Sequence, residues 1–67
     1  MAETIITDKT EALAAVQNNG YALGYASDEL KADKEVVMAA VKNNGYALQF
    51  ASDELKADPE ILALIDD

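Results

Sequence analysis

The sequence predicts an all-α fold, a short array of helical repeats. Three observations carry that prediction. Asp33–Ala57 repeats Asp8–Ala32 at a spacing of 25 residues, with 18 of the 25 positions identical. Apolar residues within each copy recur at intervals of three and four, the period of a helix with one buried face, and nowhere alternate as a strand requires. Capping residues open five of the helical stretches: Asp8, Ser27, Asp33, Ser52 and Asp58. The expected organisation is one domain over residues 1–67, with a lead at 1–7, repeat one at 8–32 and repeat two at 33–57. A truncated third repeat at 58–67 then acts as a C-terminal capping helix. A repeat of this size cannot bury its apolar side alone, so neighbours must stack.

The elements follow in order. Ile5 and Ile6 in the lead are β-branched and are expected to cover the open end of repeat one. Asp8 accepts a hydrogen bond from an otherwise orphaned backbone N–H, and Glu11 three residues on completes a capping box. Ala12, Leu13, Ala15 and Val16 form the buried stripe of the first helix. Asn18-Asn19-Gly20 ends it. Gly20 and Gly45 are both expected as C-caps at positive φ, where glycine meets no Cβ penalty. On that reading Gly45→Ala costs about 1 kcal/mol or more. Asn-Gly also marks two-residue hairpins, but the alanine-rich flanks here lack the alternation of strands.

Tyr21 to Ala26 makes a second, short helix with Tyr21 and Tyr25 on one face. Ser27 caps a third piece of one or two turns. Its first turn carries Asp28 and Glu29, where the helix dipole favours negative charge, while Leu30 points inward and Lys31 sits near the C-terminal end. Repeat two runs the same course. Asp33 caps a helix with Val36, Val37, Ala40 and Val41 buried; Tyr46, Ala47, Leu48, Phe50 and Ala51 form the second helix, and Ser52-Asp53-Glu54-Leu55 the third. Asp58-Pro59-Glu60 opens the last helix, where Pro59 at the first helical position forfeits no hydrogen bond. Ile61, Leu62, Leu64 and Ile65 are its expected core face, with Asp66 and Asp67 charged and wet.

Composition narrows function. A 67-residue chain holds one small domain and withdraws only about 60% of its unfolded surface from water. Thirteen acids oppose five lysines, with no histidine, for a net charge of −8. Phosphate backbones and anionic membranes are bound by clustered Lys and Arg, so direct nucleic-acid and membrane binding are disfavoured, whereas a basic protein partner is compatible. The absence of cysteine suits a reducing compartment. With no basic and apolar leader pattern and no apolar run near ~20 residues, the sequence reads as soluble and cytoplasmic.

The candidate chemistry reduces to structure. Asp28/Glu29 and Asp53/Glu54 lack the spacing of a calcium loop, and no His or Cys stands by to ligate a transition metal. These acids sit where helix N-termini favour negative charge. Ser27 and Ser52 have no general base to activate them and read as caps. Tyr21, Tyr25, Tyr46 and Phe50 recur beside core alanines on an acidic chain, so packing is favoured over base stacking. Lys42, where repeat one has Gln17, reads as a solvated residue. No catalytic, metal or cofactor residue is expected.

Residues 33 to 55 resemble an uncharacterised helical tandem-repeat family, a domain of unknown function. The resemblance is carried by the pattern Glu-Val-Val-x-Ala-Ala-Val-x-x-Asn-Gly-x-Ala-Leu-x-aromatic-Ala-Ser-x-Glu-Leu. It spans Asp8 to Ile65 and implies helical repeats with no known activity. Repeat one departs from it at Thr10-Glu11-Ala12 and at Gly24.

The expected function is a non-enzymatic protein-interaction or scaffold module, with Asp28, Glu29, Asp53, Glu54, Tyr21 and Tyr46 as its candidate surface. The alternative is a small acidic inhibitor that mimics nucleic acid in a basic groove. An open end of the array is expected to pair with a protein partner or with a second copy as a homodimer.

Overall fold

A computed structural model describes residues 5–65. Met1–Thr4 of the lead, and the Asp66-Asp67 end expected to be wet, lie outside the described residues. The first unit contains α1 (Lys9–Asn18), a 3-10 helix η1 (Gly20–Tyr25) and α2 (Asp28–Lys31). The second contains α3 (Lys34–Asn43), η2 (Gly45–Phe50) and α4 (Asp53–Lys56), and α5 (Pro59–Ile65) follows. The fold is all-α. The only strand-like feature among the described residues is an isolated parallel bridge between Ile6 and Ala26.

The caps form as the sequence requires. Asp8 accepts from Glu11 N at 3.2 Å, Asp33 from Glu35 N at 3.0 Å and Asp58 from Glu60 N at 2.8 Å. Ser27 and Ser52 each accept from the residue three on, at 3.4 Å. The return bond of a capping box is missing, because the Glu11 side chain is exposed and turned to solvent. Pro59 is the first residue of α5.

The glycines do something other than the sequence suggested. Neither Gly20 nor Gly45 is a C-cap, and no described residue has positive φ. Helices α1 and α3 end instead at Asn19 and Asn44, extended at φ −153°, whose N–H groups donate to Ala15 O and Ala40 O. Each of these side chains then accepts from the N–H of Tyr21 or Tyr46 at 3.0 Å. One asparagine therefore closes an α-helix and opens a 3-10 helix, a local competition for backbone groups that Asn is suited to win. Glycine stands next because of space. A Cβ on Gly20 would lie 2.8 Å from both Ala40 O and Asn44 Cβ, and one on Gly45 would lie 2.8 Å from Ile65 Cγ2.

α3 is the centre of the core, packed against α1, η1, η2 and α5. Val16, Leu23, Val36, Val37 and Ile61 are its largest fully buried side chains. Stacking is directional, and several differences between the units follow from position in the stack. Val36 and Ile61 are fully buried, whereas Glu11, in the same register of the first described unit, is exposed. The Gly24 backbone lies under the Phe50 ring, and an added Cβ would meet that ring at 3.2 Å. Its counterpart Gln49 is exposed. Tyr25, in the register of Phe50, is exposed as well. The thinned apolar face of α1 is thus an exposed face among the described residues.

The lead covers this end through one residue. Ile6 N donates to Tyr25 O and Ser27 N donates to Ile6 O, both at 2.8 Å. In the second unit Ser52 N donates to Lys31 O at 3.0 Å, so Ile6 occupies the place of a preceding unit's last helical residue. Ile6 packs on the core, but Ile5 is exposed. Two further expectations are corrected. Of the supposed core face of α5 only Ile61 is buried; α5 packs chiefly on α3 and α4, and Leu62, Leu64 and Ile65 are exposed, Ile65 lying beside Gly45. The three tyrosines are also exposed, and only Phe50 among the aromatics is half-buried.

Two predictions follow from this packing. Gly20→Ala forces backbone apart and should cost about 1–3 kcal/mol. Gly45→Ala meets only the exposed Ile65 side chain in the last turn, and should cost less than half as much in thermal melts. Val36→Glu buries an unpaired charge and should leave the chain unfolded at 25 °C, while Glu11→Val should stay within about 0.5 kcal/mol of the parent by urea denaturation.

Candidate interaction surface

Among the described residues, the edge formed by η2 and α5 is uncovered. In the first unit, η1 is covered by η2. The Phe50 ring meets Tyr21 edge-to-face, centroids 6.1 Å apart at 82°, and Leu23 beneath is fully buried. In the second unit the equivalent Tyr46 has no ring against it and is 73% exposed, against 42% for Tyr21. Leu48, in the register of Leu23, is only partly buried. Gly45, Tyr46, Leu48, Gln49, Lys56 and Ile65 line a cleft of about 420 Å³ there. The Gln49 amide donates to Tyr46 O at 3.1 Å.

A second cleft of about 550 Å³ runs between α1 and α3, lined by Leu13, Gln17, Glu35, Met38, Ala39, Lys42 and Asn43. Lys42 and Gln17 border this groove. The four acids of the candidate surface sit elsewhere. Asp28 and Glu29 are exposed in the first turn of α2, Asp53 and Glu54 in that of α4, each four-residue helix capped by its serine. Lys56 approaches Asp53 at 4.0 Å. Tyr21 and Tyr46 lie on η1 and η2 and the four acids on α2 and α4; Lys56, which lines the cleft with Tyr46, is the residue that approaches Asp53.

A ladder of ion pairs ties unit to unit. Lys9 Nζ reaches Asp33 at 3.2 Å and Glu35 at 2.9 Å. One unit on, Lys34 reaches Asp58 at 3.3 Å and also pairs with Glu60. The Glu35 and Asp33 carboxylates raise the Lys9 pKa above its ordinary value, and Glu60 and Asp58 do the same for Lys34. Partial burial pushes Asp33 upward, but the bonds from Lys9 and from the Val36 and Glu35 amides prevail and hold it below the usual carboxylate value. The Glu60 amide leads in depressing Asp58, against some desolvation and with help from Lys34. Thr10, where Glu35 and Glu60 stand in later units, ends the ladder on one side; Pro59, in the place of Lys9 and Lys34, ends it on the other.

Asn43 adds the polar join at the unit boundary. Its amide donates to Gln17 O at 2.6 Å and its carbonyl accepts from Gly20 N at 3.3 Å. Sequence reasoning missed Lys9, Lys34 and Asn43, and the edge residues Leu48 and Ile65. The signal available was that Lys9/Lys34 and Asn18/Asn43 are kept at the 25-residue spacing on helix faces that need no charge or amide for capping.

A family model described as Domain of unknown function (DUF4116) matches residues 8–56. No curated protein and no solved structure matches the chain. No helix among the described residues is long and apolar enough to cross a membrane.

The ladder predicts a pH-dependent difference. A carboxylate depressed below 3.8 contributes stability above that value and loses it as pH falls through the lower folded pKa. A lysine raised above 10.5 contributes below that value and loses it only as pH rises further. Lys9→Met should therefore melt below the parent by a constant interval from about pH 5 to pH 9, and the interval should close below about pH 3. Circular dichroism melts across pH read this directly. An interval that persists at pH 2 would mean that packing of the lysine stem, rather than the ion pair, carries the effect.

Proposed function

The chain belongs to the DUF4116 family, which assigns it no activity, and we propose that it is a non-enzymatic protein-interaction module. The observation that carries this reading is the uncovered η2–α5 edge, where Tyr46, Leu48 and Ile65 surround an open cleft. Contiguous apolar surface of this kind usually marks a binding site. Tyrosine suits the task, since a rigid ring with a polar tip gives large contact area and a hydrogen bond together. The net charge of −8 favours a partner with a basic rim, disfavours nucleic acid and anionic membranes, and accords with a cytoplasmic protein. The tandem helical-repeat character of the family is part of the same proposal, supported by the three elements recurring in register in the two units.

One observation favours a second reading, an acidic mimic. Asp28/Glu29 and Asp53/Glu54 repeat at 25 residues on the exposed first turns of α2 and α4. The readings separate by affinity capture from the source cells at low and at high salt, comparing the parent with Tyr46→Ser. A module working through the edge retains its partner at high salt and loses it with Tyr46→Ser. A charge mimic loses its partner with salt and is indifferent to Tyr46. Capture of nothing under either condition would defeat both.

A further inference from the structure

Away from the η2–α5 edge, we infer that the outer face of α3 pairs with the same face of a second copy of this chain, the two helices antiparallel about an axis between Met38 and Ala39. Glu35, Met38, Ala39 and Lys42 line the cleft between α3 and α1, and both walls of that cleft are described residues. Their spacings of three, four and seven residues put them on one helical face. Glu35 and Lys42 stand two turns apart, about 10 Å along the axis. Both are exposed, while Met38 and Ala39 lie half-buried midway between them, with Leu13 of α1 alongside.

A stripe that runs acid, apolar, apolar, base is its own complement when reversed. Antiparallel pairing sets Glu35 against the partner's Lys42, and Lys42 against the partner's Glu35. It also sets Met38 against the partner's Ala39 twice, a long flexible side chain over a small one. This is the isologous form that symmetric dimers take. The charged groups are available for it. Lys42 has no ion-pair partner among the described residues. Lys9 meets Glu35 through Oε1, so Oε2 can accept from a second ammonium. The net charge of −8 opposes self-approach, but Lys9 and Lys42 offset Glu35 locally. Asp28, Glu29, Asp53 and Glu54 lie on α2 and α4 instead.

The test is sedimentation equilibrium of the full chain at about 0.15 M salt, where charges more than ~8 Å apart are largely screened. A small interface of this kind predicts a monomer–dimer equilibrium with Kd on the order of 100 μM. Glu35→Lys and Lys42→Glu each make both pairs repulsive and should weaken self-association about tenfold or more. Mixing the two variants makes every pair acid to base again, and should restore dimers at the parent's affinity. A measurement on the parent alone removes any dependence on how the variants fold. In a mixture of ¹³C-labelled and unlabelled chains, the Met38 methyl should show intermolecular NOEs to Ala39. A parent that stays monomeric at about 1 mM overturns the inference. So do charge reversals that leave the dimer intact, a mixture that fails to restore it, or a dimer lost with Tyr46→Ser instead. Any of these leaves the reading of the η2–α5 edge untouched.

Discussion

The two units meet where the backbone of Gly20 lies against the last turn of α3, and the rest of the structure depends on how closely they meet. Side chains are absent from the contact on one side, so Ala40 O and Asn44 stand within the distance at which a Cβ would intrude. That closeness lets the Asn43 amide reach back to Gln17 O and Gly20 N. It also brings the Lys9 ammonium within reach of Asp33 and Glu35, and sets the Phe50 ring on Gly24. Exposed ion pairs are individually weak. Their role here is better described as register: two rungs one unit apart penalise a slip that apolar packing alone would tolerate.

Direction in the stack then explains why nearly identical sequences are not identical. A position buried between units carries Val36 or Ile61, and the same position where it is exposed, in the first described unit, carries Glu11. A position beneath the following unit's ring is Gly24, and the same position at the open edge is Gln49. Capping units with a polar outer face are what a linear array needs to stay in solution. Ile6 contributes at this end by accepting from Ser27 N as Lys31 accepts from Ser52 N in the second unit.

Much of the fold was legible because caps and helical period are local. Asp8, Ser27, Asp33, Ser52 and Asp58 open helices by hydrogen bonds to their own neighbours, and a single sequence displays such bonds. The glycines misled because Asn-Gly after a helix has two meanings, left-handed backbone or missing volume, and only the distance to another element separates them. The exposed tyrosines misled for a related reason. Helical spacing beside alanine tells which face a ring occupies, but not whether another unit covers that face. Of the candidate surface, Tyr46 was legible and belongs to the open edge, whereas Leu48 and Ile65 were hidden because they read as core.

The fold is held by one close approach, and on the proposed reading the η2–α5 edge exposed among the described residues is a preformed binding face. The central claim is that the Gly20 contact is the joint of the molecule, and amide hydrogen exchange tests it most directly. The Gly20 N–H, buried and bonded to Asn43 across the boundary, should exchange only with global unfolding, at the rate of the buried Val16 and Val41 amides. The Gly45 N–H at the open edge should exchange far faster. A Gly20 amide that exchanges as readily as Gly45 would show that the two units part without unfolding, and would contradict the account.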